Sequence, residues 1–116
     1  LSYAKVREKW RQWLEELPEN NAPDGCYIRS WLDDDGKYPQ ATGYPHHIFG
    51  RGKLEKDTRF WIPLSHDQHM RLHERDRVEM TFKVFDAMVK RYGEVWLLWC
   101  SEINTGRIYG EWLEKR

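Results

Sequence analysis

Cysteine is scarce, with Cys26 and Cys100 the only two in 116 residues. Two thiols cannot build a disulfide framework or a four-cysteine zinc knuckle. A single bridge stays open, and two reduced thiols are the expectation for an intracellular chain. Long apolar runs are missing too. The most hydrophobic stretch, Val95-Trp96-Leu97-Leu98-Trp99-Cys100, stops at Ser101-Glu102. It falls far short of the roughly 18 residues that a membrane span needs, so neither a span nor a signal peptide is expected. Charge of one sign is not in excess either, since Lys plus Arg and Asp plus Glu number 19 each. The bulk basic charge that advertises nucleic-acid binding is therefore lacking, and any contact with DNA has to be local and metal-assisted. No glycine-rich phosphate loop followed by Lys-Ser/Thr occurs, and no Gly-x-Ser-x-Gly elbow. P-loop nucleotide hydrolysis and serine hydrolysis drop out.

Large hydrophobic side chains are plentiful. The chain is 40% apolar and 15% aromatic with seven tryptophans, enough to pack a core, while a 33% charged fraction supplies a solvated surface. The length suits one domain spanning 1–116. A mean hydropathy of -0.90 suits a cytoplasmic protein. The first residue is Leu1 rather than Met, as expected of a processed product or of a fragment of something longer.

Periodicity organises the chain as α+β and mainly helical. Tyr3, Val6, Trp10, Trp13, Leu14 and Leu17 repeat at helical spacing and stop at Pro18, predicting an amphipathic helix over 2–17. Glu19 to Pro45 is rich in turn formers around a short apolar patch, Cys26-Tyr27-Ile28 and Trp31-Leu32. Thr42 to Ile48 and Arg59 to Leu64 read as two strands joined through Gly50-Arg51-Gly52, with Pro63 placing the second at an edge or a strand end. Ser65-His66-Asp67-Gln68 is a capping-box pattern that starts a helix at Ser65. Val78, Phe82, Phe85, Met88, Val89 and Tyr92 continue a helical stripe to Gly93. Glu94 to Glu102, apolar nearly all round, is read as a buried helix, and Arg107 to Glu114 as a short last one, so flanking helices are expected over 78–114.

All five histidines fall between His46 and His73. His69 and His73, four apart on the expected helix, share one face, where two imidazoles can bind a single ion. A solvated helix face is the plainer alternative for that pair taken alone. His46 and His47 close the first expected strand, where alternation sends neighbouring side chains to opposite sides. One ring can then ligate a metal while the other reacts. His66, in the first helical turn, reads as a surface residue.

In this order, Pro45-His46-His47-Ile48, Gly50-Arg51-Gly52, Lys56-Asp57, Phe60-Trp61-Ile62-Pro63-Leu64, His69 and His73 together resemble the HNH endonucleases, the ββα-metal or His-Me finger superfamily. Within it, the pattern is most similar to phage recombination-associated nucleases of the Ref-like type. Residues before Tyr44 and after Glu74 carry no such likeness. The resemblance implies a ββα-metal core over about 42–77, with His46, His69 and His73 as metal ligands and His47 as general base. It implies DNA as substrate, with RNA left open. A recombination or phage DNA-processing protein is implied as a partner, and a phage or mobile-element origin in a bacterial host. The sequence departs from the family in two ways. Ser65 and Gln68 stand where many relatives carry zinc-knuckle cysteines, and Phe60 stands where the middle asparagine of the motif belongs. Asp57 or a backbone carbonyl is then expected to orient His47.

A neutral imidazole with an ordinary pKa near 6.5 can take a proton from water near neutral pH, which suits His47 to the base role. An all-histidine shell favours Zn, Ni, Co or Mn over Mg, whereas the family resemblance allows Mg or Mn as the working ion. Arg51 and Lys53, in a flexible glycine-flanked loop, are candidates for phosphate contacts. The rival expectation is a non-catalytic nucleic-acid-binding module whose histidines hold a structural zinc.

Overall fold

A computed structural model of the chain describes residues 2–17, 29–33 and 40–116. Most of the expected loop region, with Cys26, lies outside these residues. The architecture is α+β and mainly helical, in the order α1 (Ser2–Glu16), β1 (His46–His47), β2 (Trp61–Ile62), α2 (His66–His73), α3 (Arg77–Tyr92), α4 (Val95–Cys100) and α5 (Gly106–Glu114). Two compact units divide the chain, Leu1–His66 and Asp67–Arg116. Among the described residues, no helix is long and apolar enough to cross a membrane.

In the first unit, α1 buries the stripe its spacing predicts. Val6, Trp10, Trp13 and Leu17 are all buried, and Leu14 packs beside them. These residues recur every three or four positions and so fall on one side of the helix. The helix stops at Glu16 because Pro18 disfavours helical geometry in the residue before it. The stripe meets Trp61, a side chain with no exposed surface. Ring centroids lie 6.0 Å from Trp61 to Trp10 and 5.7 Å from Trp61 to Trp13, the second pair edge-on at 86°. Such tilted and edge-on pairs each contribute about 0.5–1.5 kcal/mol beyond the area they bury.

The hairpin is antiparallel, with His46 opposite Ile62 and His47 opposite Trp61. Its strands have two residues each, shorter than the spans the sequence predicts. Pro45 and Pro63 sit just outside them and have no N–H to continue a ladder. On the other side of β2, Thr58–Phe60 forms a 3-10 turn instead of strand. Single backbone bonds still run alongside at both ends, from Ile48 N to the Phe60 carbonyl at 3.0 Å and from Thr42 N to the Leu64 carbonyl at 2.9 Å. Asp57 starts the 3-10 turn. Its carboxylate accepts from the Arg59 backbone N–H at 3.1 Å and from the Arg59 guanidinium at 3.0 and 2.7 Å.

In the second unit, α2 begins immediately after Ser65, where the capping pattern predicts a start. It ends at His73, and α3 starts anew at Arg77. Asp76 joins them, receiving the Arg71 guanidinium at 3.0 Å and that of Arg75 at 3.3 Å while its carbonyl accepts from Met80 N. The change of helix between α2 and α3 is thus held by an ion pair. Gly93 closes α3 at φ +77, a left-handed conformation that glycine adopts without strain. The stretch 94–102, expected as a buried helix, contains the helix α4, which buries Trp96 and Cys100 but leaves Val95 and Leu98 exposed. Phe85 of α3 centres this unit's core, with ring centroids 6.0 Å from Trp96, 5.4 Å from Tyr109 and 5.2 Å from Trp112. The Trp112 indole N–H donates to Asp86 at 2.9 Å. Cys100 is buried, and burial together with the neighbouring Cys100 thiol pushes the Tyr109 hydroxyl up to about 12.

The Asp57 pair makes stability depend on pH. Hydrogen bonding from Arg59 holds the carboxyl below its ordinary value. A folded-state pKa below the unfolded one stabilises fully above the unfolded value and is lost as pH falls through the folded one. Asp57→Asn keeps a side chain that can cap the turn and removes the charge. It is expected to cost about 0.5–1 kcal/mol near neutral pH and progressively less as pH falls below the ordinary aspartate range. Urea melts near neutral pH and below that range check this, and a cost that does not change with pH would contradict it.

Candidate metal centre

His69 and His73 lie one turn apart on α2, as their spacing requires. Their Nε2 atoms approach to 3.0 Å with ring planes at 76°. Two nitrogens each ~2.0–2.1 Å from one ion sit about 2.9 Å apart at a right angle and about 3.4 Å apart at the tetrahedral angle. The observed separation falls within that range. One ring donates its N–H to the other, which holds the two at this separation. The C-terminal end of α2 is braced by the Arg71–Asp76 ion pair.

His46 is buried on β1, opposite Ile62. One ligand atom from each of His46, His69 and His73 lies within 4.8 Å of the others, close enough for the three to hold a metal ion. An all-imidazole donor set fits borderline transition metals better than Mg. His66 is exposed and is not part of the group.

His47 stands next to His46 in the chain and plays no part in that group. Its Nε2 lies 3.0 Å from the backbone carbonyl of Glu55, and its ring meets Trp61 edge-on at 5.9 Å. A carbonyl oxygen can only accept, so the hydrogen bond places the proton on Nε2 and leaves the Nδ1 lone pair available. Burial is the largest influence on this ring. It outweighs the Glu55 carbonyl and holds the pKa below the ordinary histidine value. The neutral form therefore predominates near neutral pH.

Of the two groups expected to orient His47, Asp57 has its carboxylate on Arg59, and the contact to His47 comes from a backbone carbonyl. That carbonyl also accepts from the Trp61 indole N–H at 2.9 Å. Sequence reasoning did not single out Glu55, because a main-chain oxygen has no residue-type signature. Trp61 was expected only as a strand residue. Phe60, at the position of the missing asparagine, packs against Phe49 at 5.6 Å beneath the Arg59 guanidinium.

Arg51 and Lys53 are exposed in the loop between the strands, which turns through bonds from Glu55 N to the Gly52 carbonyl and from Asp57 N to the Leu54 carbonyl. Arg51 pairs with the Glu55 carboxylate at 3.7 Å. A pair of that length, with its arginine largely in solvent, contributes little and can exchange for a phosphate.

Loss of one histidine of the α2 pair should remove most of the metal affinity. Removing a group that only supports a ligand typically costs 10- to 100-fold, so His73→Ala is expected to weaken Zn binding by more than about 100-fold. Titration calorimetry checks this, and an unchanged affinity would show that the ion binds elsewhere.

Comparison with known proteins found no family model, no curated protein and no solved structure that matches this chain.

Proposed function

We propose that the chain is a metal-dependent endonuclease that hydrolyses DNA phosphodiester bonds, with His46, His69 and His73 holding one divalent ion and His47 as general base. A division among the histidines carries this reading. Three offer nitrogens within 4.8 Å of one another. The fourth, adjacent in sequence, is tied by Nε2 to a carbonyl and keeps its Nδ1 lone pair.

In this scheme Nδ1 of His47 takes a proton from water as the water oxygen bonds to phosphorus and the bond to the departing oxygen breaks. The ring becomes an imidazolium, and its Nε2–H bond to the Glu55 carbonyl becomes charge-assisted and stronger. A bound divalent ion supplies Lewis-acid stabilisation of the charge that builds on the phosphate and the departing oxygen. Arg51 and Lys53 contact neighbouring phosphates and carry no sequence information. Zn, Ni, Co and Mn suit the imidazole donors, and Mn or Mg is the working ion on the family resemblance.

Among the described residues the group has three members, whereas structural zinc is almost always held by four. That favours an open coordination position, and so the enzyme over a zinc-braced binding module. Nicking of supercoiled DNA with Mg, Mn or Zn tests the proposal. His47→Ala is expected to lower the rate by at least about 100-fold while leaving metal affinity and thermal midpoint unchanged. Absence of metal-dependent nicking, or wild-type nicking by the variant, would contradict the proposal. Unfolding on chelation would point to structural zinc instead.

A further inference from the structure

Lys5 and Lys9 lie one turn apart on α1, beside the stripe that packs on Trp61, and both are exposed. Trp10, the neighbour of Lys9, packs on Trp61, whose indole N–H donates to the Glu55 carbonyl of the loop, and the Lys9 charge favours the Asp57 carboxylate. This side of α1 therefore borders the loop between the strands. Within 51–59 that loop carries Arg51, Lys53, Lys56 and Arg59 against Glu55 and Asp57. The two arginines pair with the two carboxylates. Lys5, Lys53 and Lys56 are exposed and have no ion pair among the described residues. In a chain with equal numbers of cations and anions, these lysines make a local positive excess. The helix that carries Lys9 is joined to the His47 ring by two ring contacts, 6.0 Å from Trp10, the neighbour of Lys9, to Trp61 and 5.9 Å from Trp61 to His47.

We infer that Lys5 and Lys9 of α1, continuing from Lys53 and Lys56 of the loop, form a track for the phosphate backbone of DNA on either side of the phosphate at His47. The choice of ligand rests on the nuclease reading. The track itself follows from charge and placement. Duplex DNA carries one charge per ~1.7 Å of axis, so a backbone that is seated at His47 and runs toward α1 brings further phosphates to Lys5 and Lys9. These contacts fix register and leave sequence unread. The track also resolves a tension in the composition. A neutral chain can hold a polyanion if its unpaired cations are gathered along one path.

The test is fluorescence anisotropy of a labelled duplex with the full chain in chelator, so that binding is read without cleavage, over roughly 50–200 mM salt. Each phosphate contact contributes about 0.9 to the slope of log affinity against log salt. Lys5→Gln with Lys9→Gln is therefore expected to lower that slope by nearly 2 and to weaken binding about tenfold at low salt. Lys90→Gln with Lys115→Gln removes the same charge from the second unit and should leave the slope unchanged. Thermal melts confirm that both variants fold. An unchanged slope in the α1 variant, an equal loss in the control, or no DNA binding by the wild type would overturn the track. Nicking measured in parallel separates the two claims, since binding with the expected slopes but without metal-dependent nicking would sink the nuclease reading and leave the track standing.

Discussion

The backbone carbonyl of Glu55 accepts two hydrogen bonds, from the indole N–H of Trp61 at 2.9 Å and from Nε2 of His47 at 3.0 Å. Much of the first unit is arranged around that oxygen. The loop between the strands turns back so that Glu55 reaches the hairpin, and α1 lays Trp10 and Trp13 on the Trp61 ring. Trp61 thus joins the helical core to the orientation of one histidine. Its buried ring anchors α1, its N–H holds the carbonyl in place, and its edge limits how far the His47 ring can turn. A backbone oxygen suits the task, since it cannot ionise and accepts only, so it selects one tautomer of the imidazole.

The adjacent histidines show how strand alternation separates roles. His46 is buried opposite Ile62, whereas His47 is half-buried against Trp61. A two-residue strand is enough, because neighbouring side chains diverge at every step of extended backbone. The α2 pair depends instead on helix pitch, which holds two imidazoles at ligand spacing.

What was legible in the sequence follows the same physics. The α1 stripe and the α2 histidine pair were readable because helical spacing alone puts their members on one side. The break between α2 and α3 was not marked by Arg71, Arg75 and Asp76, because alternating charges read equally well as one solvated helix face. Only the fold shows that Asp76 gathers both guanidinium groups at the junction. The strand lengths were not readable, since they depend on where Pro45 and Pro63 leave gaps and on the Asp57 cap that turns 58–60 into a 3-10 turn. The partner of His47 was narrowed to Asp57 or a carbonyl, and residue type could go no further. Asp57 has Arg59 two residues away to neutralise it, a local pairing that excess acid or base elsewhere does not disturb. The charge path from α1 to the loop was equally hidden, because it joins residues some fifty positions apart in a chain with no net charge.

The account turns on which nitrogen of His47 carries its proton. Long-range proton–nitrogen correlation spectra of the metal-free chain, at a pH where the ring is neutral, read that directly. A single tautomer protonated at Nε2, with an unprotonated Nδ1, is the predicted result. A proton on Nδ1, or rapid averaging between the two nitrogens, would mean that Glu55 does not hold the ring, and the base assignment built on it would fail.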